Sequence, residues 1–343
     1  MPTANELLQE YGISHSVYLE RYKTQVLNDL ILLMEEIDKD LVDRIALKAG
    51  ETFTKARMER LLQDIRQING EAVAELKIGL RDQINEFGSY EAQFQEKRIQ
   101  QAIPIRWNIS QPSPDQIFAA VMARPFEGKL FEDHINRYEQ RRLELIQRAI
   151  RQGWVEGESI DQIVRRIRGR RANKYADGII EATRREAASL VRTAINNTAS
   201  VAREQLYREN GDLIKGVQYV ATLDNRTTLI CASLDGKVFQ TGEGPRPPQH
   251  WGCRSTTVPV VRSWRELGID LAEAPAGTRA SMDGQVAEKA TYGKWLKRQP
   301  ASVQKDVLGK SRYEMFKNGR PIEKFVRDGR VLTLEELKRK EAA

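Results

Sequence analysis

Residues 224–260 read DNRTTLICASLDGKVFQTGEGPRPPQHWGCRSTTVPV, and this stretch gathers most of the chain's unusual residues. Both cysteines, Cys231 and Cys253, lie in it, together with His250, one of three histidines. A Leu234-Asp235-Gly236 turn leads into a β-like run from Lys237 to Gln240. The flanks, Lys215 to Thr222 and Arg254 to Val261, are rich in Val, Thr and Tyr, so they predict strands that pair with Val238-Phe239. Working outward, nearly everything else carries helical periodicity. The fold class is therefore mainly α: an elongated multi-helix architecture with one small α+β knot of about three short strands near residues 212–262.

The spacing His250-x-x-Cys253, with Cys231 upstream, supplies three metal ligands of the soft or borderline kind. A structural zinc site takes four in tetrahedral array, so the fourth would come from Asp224, Asp235 or a water molecule. The same residue types suit a second chemistry, a cysteine-dependent hydrolase. Cys231 or Cys253 would be its nucleophile, His250 its base, and Asp224 or Asp235 the orienting group. Spacing opposes that reading, because His250 and Cys253 sit in a proline-flanked loop with no oxyanion-forming glycine turn ahead of a helix. Gly236, Gly242 and Gly244 do not match a phosphate-binding or dinucleotide spacing, so nucleotide-driven work is not expected.

A chain of 343 residues, 40% hydrophobic and 30% charged, fits a helix-rich globular protein. No apolar run exceeds Leu30 to Met34, far short of the roughly 18 residues that span a bilayer. The start, MPTANELLQE, lacks the basic and apolar regions of a secretory signal. Two cysteines in such a length point to a reducing compartment and to cytoplasmic synthesis. Charge is uneven. Residues 1–50 hold five Lys and Arg against nine Asp and Glu, whereas residues 137–208 hold sixteen against nine, an excess equal to the +7 of the whole chain. Arg165, Arg166, Arg168, Arg170 and Arg171 concentrate that excess around Gly169. A polyanion meeting them would release counterions, so they are the candidate contacts to double-stranded DNA, without sequence preference.

Organisation follows from punctuation. Residues 1–103 carry the stripes Val26, Leu30, Leu33, Ile37, Leu41 and Met58, Leu61, Ile65, Ile68, and form an acidic helical arm suited to a protein partner or to self-association. Residues 104–128 are a Pro-rich connection with one short helix opened by Ser113, Pro114 and Gln116. Residues 129–262 hold long helices and the β knot. These helices are one from Leu130 to about Gly153, one capped by Ser159 and Gln162, and a third from Ala176 to Asn210, expected to be the longest. Residues 263–290, with Pro275, Gly277 and Gly284, read as an extended linker. Residues 291–343 read as short helices with capping boxes at Ser311/Glu314 and Thr333/Glu336 and a small core of Trp295, Leu296, Val303, Val307, Leu308, Tyr313 and Phe316.

One succession of residues resembles a known family. It runs through Arg192-Thr193, Gly216-Val217, Asp224-x-Arg226-Thr227, Cys231, Leu234-Asp235-Gly236-Lys237-Val238-Phe239, Pro247-Pro248-x-His250-x-x-Cys253-Arg254 and Val258-Pro259-Val260. The order and spacing resemble the Mu F-like domain of phage head morphogenesis proteins, the minor head proteins of tailed bacteriophages. The resemblance covers roughly residues 140–262. It implies a virion protein near the portal, with portal and capsid proteins and packaged DNA as partners and no enzymatic role. The family commonly reads Cys-x-x-Cys before the Leu-Asp-Gly turn and His-x-x-Cys-x-Cys after it. Here Thr228 and Ser255 stand where two of those cysteines would be, which weakens a zinc site carried over by resemblance. The expectation is a structural clasp of Asp224, Arg226, Thr227, Cys231, Asp235, Gly236, His250, Cys253 and Arg254, with Cys231, His250 and Cys253 as metal ligands if zinc is held.

Overall fold

A computed structural model describes residues 3–48, 54–270, 278–287 and 289–339. Ten α-helices and seven short strands occur among the described residues, so the protein is mainly α. In chain order they are α1 (Ala4–Ala46), α2 (Lys55–Ala102), α3 (Pro114–Ala123), α4 (Phe131–Val155), α5 (Ile160–Arg168), α6 (Ile179–Glu209), β1 (Ile214–Val220), α7 (Leu229–Leu234), β2 (Val238–Phe239), β3 (Thr256–Val261), β4 (Thr278–Ser281), β5 (Gly284–Ala287), α8 (Tyr292–Lys297), α9 (Ala301–Lys317), β6 (Val326–Arg327), β7 (Arg330–Val331) and α10 (Leu334–Arg339). The chain divides into two compact units, neither contiguous in sequence: residues 21–87 with 122–195, and residues 1–20 with 88–121 and 196–343.

The first of these units is helical. Leu41, Val42, Ile45, Met58, Leu61 and Ile65 pack with Ile146, Ile150, Ile163, Ile167 and Ile180 into one buried cluster. Of the expected α1 stripe Val26, Leu30 and Leu41 are buried, while Leu33 and Ile37 are only partly so and their neighbours Met34 and Asp38 are the buried positions there. A buried carboxylate needs a partner, and Asp38 has two, Arg142 Nη2 and Arg184 Nε. Arg142 also donates to Asn69 Oδ1 at 2.7 Å. The helix α4 runs on to Val155, because Gly153 is buried inside it, where a Cβ would collide with the Ile163 side chain. The Ser159/Gln162 capping box opens α5 as its sequence requires. The longest helix is α2, at 48 residues; α6 has 31 and begins at Ile179, after Gly178.

The second unit holds the sheet, antiparallel throughout in the order β2-β1-β3. The central strand β1 pairs with β3 from Ile214↔Val261 to Val220↔Thr256 and with β2 at Val217↔Phe239. Pro259 donates no hydrogen bond, and it is tolerated because β3 is an edge strand. Gly216 admits β2 closely, since a Cβ there would meet Phe239 O at 2.7 Å. Behind the sheet, Ala4, Leu8, Ile99, Ala102 and Ile103 pack with Leu206, Tyr207, Leu213, Ile214 and Val217. The apolar positions of the N-terminal helices are thus consumed in the cores of both units. Residues 278–287, inside the stretch whose composition suggests a linker, form the hairpin β4-β5 turned at Gly284, with φ 104°. Pro275 and Gly277 lie outside the described residues. Beyond the hairpin, Tyr292, Trp295, Leu296, Leu308, Tyr313 and Phe316 close a core over Leu223 and Ala232 of the knot. No helix among the described residues is long and apolar enough to cross a membrane.

Candidate functional site

The clasp is built from the turn outward. Gly236, at φ 78°, lets the chain reverse after α7, and its amide donates to Tyr219 O at 2.8 Å. Thr228 caps α7, its hydroxyl accepting from the Cys231 amide. That places Cys231 on the first turn, against Cys253, which follows the Pro-rich loop and immediately precedes Arg254 and β3. The two sulfurs are 3.8 Å apart, both side chains are buried, and Tyr219 OH donates to Cys231 Sγ at 3.3 Å. The ligating atoms of Cys231, His250 and Cys253 all lie within 4.8 Å of one another. His250 Nδ1 is 3.0 Å from Trp251 O. A carbonyl only accepts, so Nδ1 carries a proton in that contact. Cys253 is the acidic member of the pair, held well below the ordinary thiol value first by its hydrogen bond with Cys231 and then by His250. Its bond with Cys253 and its burial push Cys231 the other way.

The clasp's charged residues sort into two separate ion pairs. Asp224 is clamped by both terminal nitrogens of Arg254, and it also accepts from Arg226 N at 3.0 Å and Thr227 Oγ1 at 3.2 Å. Burial would raise the Asp224 carboxyl, but Arg254 outweighs it and holds it below the ordinary value. The Arg226 guanidinium takes no part in that pair, and its side chain is exposed. Asp235 turns away to a partner that composition does not reveal, Arg279 of β4. Arg279 Nη1 donates to Asp235 Oδ2 at 3.0 Å and Nη2 to Oδ1 at 3.1 Å, while the amides of Ala221 and Tyr292 donate to the same carboxylate at 2.7 Å each. An Asp at a tight turn with only β-like residues after it is the available signal; the missing half is a lone Arg in a stretch without apolar periodicity.

A cavity of about 330 Å³ opens beside the thiols, lined by Arg226, Thr227, Thr228, Cys231, His250, Trp251, Gly252, Arg254 and Ser255. The donor set fits a metal ion: two sulfurs and an imidazole, with the sulfurs as far apart as the edge of a tetrahedron with zinc–sulfur bonds of about 2.3 Å, which is about 3.8 Å. Zinc held there by Cys231, His250 and Cys253 would supply a cross-link between α7 and the β3 approach.

The arginine cluster falls in the other unit. The loop from Gly169 to Gly178 is closed by Asp177, which accepts from Arg170 N at 2.9 Å, Arg170 Nε at 2.7 Å and Asn173 Nδ2 at 2.8 Å. Lys174 and Tyr175 are held at φ 50° and 63°, a backbone region that non-glycine residues adopt only when their surroundings enforce it. Gly178 has no alternative, since a Cβ there would collide with Arg168 O. Three of the five arginines are engaged: Arg166 with Glu156 and Glu158, Arg170 with Asp177, and Arg168 over the Tyr175 ring at 5.5 Å. Arg165 and Arg171 are exposed and form no ion pair among the described residues.

Fold and site together define a helical protein whose small antiparallel sheet adjoins a Cys231–His250–Cys253 cluster and is preceded in sequence by a basic loop. Residues 144–258 match the family described as Phage Mu protein F like protein, so this stretch is similar to the Mu F-like domain. No curated protein and no solved structure matches the chain.

Proposed function

We propose that this is a minor head protein of a tailed phage, acting in head morphogenesis near the portal, with portal or capsid proteins as partners and non-specific contact to packaged double-stranded DNA. The observation that carries the reading is the family match, because residues 144–258 enclose both the basic loop and the clasp. A structural role for the clasp suits its chemistry better than hydrolysis. Both carboxylates that could orient His250 are committed, Asp224 to Arg254 and Asp235 to Arg279, and Cys253 is only 1% exposed. The rigid loop between Gly169 and Gly178 presents Arg171 and Lys174 to solvent, and Arg165 lies exposed on α5.

The test is the salt dependence of duplex binding. Each phosphate that a side chain neutralises adds about 0.9 to the steepness of log affinity against log salt. Arg165→Ala with Arg171→Ala should therefore make that slope shallower by about 1.8. Arg166→Ala should change it less, since two carboxylates already hold that guanidinium. Equal slopes for the parent and the double variant would remove DNA from the proposal and leave the patch to a protein partner.

A further inference from the structure

The sequence leaves the fourth ligand of a Cys231–His250–Cys253 metal site open among Asp224, Asp235 and water, and the geometry narrows that choice. Asp224 spends both oxygens on Arg254, and Asp235 spends both on Arg279 and two backbone amides. No other Asp or Glu among the described residues joins the three ligands. Thr228 and Ser255 line the cavity beside Cys231 and His250 and bring hydroxyls in place of thiols. A closed structural site has four protein ligands, whereas three protein ligands leave a position for an exogenous one. His250 is set up for this, because a metal-bound imidazole characteristically donates its other N–H to a carbonyl, as Nδ1 does to Trp251 O.

We infer that Cys231, His250 and Cys253 form an open, three-ligand site for a zinc-type divalent cation, whose fourth position faces the cavity lined by Arg226, Thr228 and Ser255 and takes water or a small anion. Arg226 and Arg254 line the same cavity, and Arg226, which stands outside the Asp224–Arg254 pair, favours the anion. The inference is independent of the head-protein reading and would survive its failure.

Cobalt(II) reports both parts, since thiolate ligation gives a charge-transfer band and the d–d bands sense the coordination number. The full-length protein, purified under reductant and freed of metal, is titrated with cobalt(II) and then with azide. One equivalent of cobalt with a thiolate band is expected, and azide should shift the d–d bands. Thr228→Cys should bind cobalt in a closed four-ligand site whose d–d bands azide leaves unchanged. His250→Ala, at a half-buried position, should lose stoichiometric binding while keeping its far-ultraviolet circular dichroism. Absence of a thiolate band in the folded parent would overturn the site. A parent spectrum indifferent to azide would overturn its openness, and an azide shift that persists in Thr228→Cys would overturn the assignment of the open position to the Thr228 side.

Discussion

At the scale of single residues, Asp235 is the most consequential side chain of the knot. Its carboxylate, fully buried, receives four donors: two nitrogens of Arg279 and the amides of Ala221 and Tyr292. Removing one partner of such a pair strands the other charge in a low-dielectric interior, at a cost of about 3–5 kcal/mol. Asp235→Ala should therefore lower stability by about that amount in urea unfolding, while Arg279→Met with Asp235→Leu should recover part of it. Recovery is incomplete because the two amides stay unpaired. A single variant within about 1 kcal/mol of the parent would show that the pair is hydrated and weak. Arg279 also donates to Ala221 O and Ala290 O, so it draws β4 and the start of α8 onto the knot. Sequence alone places Asp235 in the clasp beside Asp224, Arg226 and Arg254 without naming its partner. Its true partner lies in a stretch with neither periodicity nor apolar content, so nothing local announces a buried arginine.

At the scale of elements, Glu91 fastens three helices. The helix α1 contributes His15, whose Nε2 is 2.5 Å from Glu91 Oε2; α6 contributes Arg203, whose Nε donates to Oε1 at 2.6 Å; and Gln95 of α2 donates to the same oxygen at 2.8 Å. Burial would raise this carboxyl, but the Arg203 and His15 charges outweigh it and hold it at about 2, against an ordinary 4.5. A depressed carboxyl contributes stability that is full above its unfolded value and is lost as pH falls toward the folded one. The contribution is at most about 3.5 kcal/mol, at about 1.4 kcal/mol per unit. The expected result is that Glu91→Gln is less stable than the parent at neutral pH and that the gap narrows between pH 4.5 and 2. An unchanging gap across that range would mean that the carboxylate is not titrating in this window. The elements themselves are largely legible: the three strands, the Ser159 box and the Thr333/Glu336 box, whose two bonds are 2.8 and 3.3 Å, all follow from local rules. Buried polar positions are not. Asp38 and Glu91 are buried charges outside the stripes that periodicity marks, and only a partner far along the chain justifies them.

At the scale of the whole molecule, the long N-terminal helices supply core to both units and are not an appendage to the Mu F-like stretch. In one unit Leu41, Ile45, Leu61 and Ile65 fill the cluster around Ile146 and Ile163; in the other Leu8, Ile99 and Ile103 lie against Leu206, Tyr207 and Val217. Composition alone favours a separable acidic arm, because a helical stripe shows that a face is buried without showing against what. Deleting residues 1–100 would expose these clusters, and each buried Leu or Ile surrenders about 1.5–3 kcal/mol of burial when its covering is removed. With total stabilities of about 5–15 kcal/mol, the remainder has too little left to fold. The truncated chain, residues 101–343, is therefore expected to be aggregated, or to lack a cooperative thermal transition and the near-ultraviolet signal of buried Trp295. A soluble fragment that melts cooperatively and binds duplex DNA with the parental salt slope would show instead that residues 101–343 fold alone, and that the N-terminal helices serve a partner.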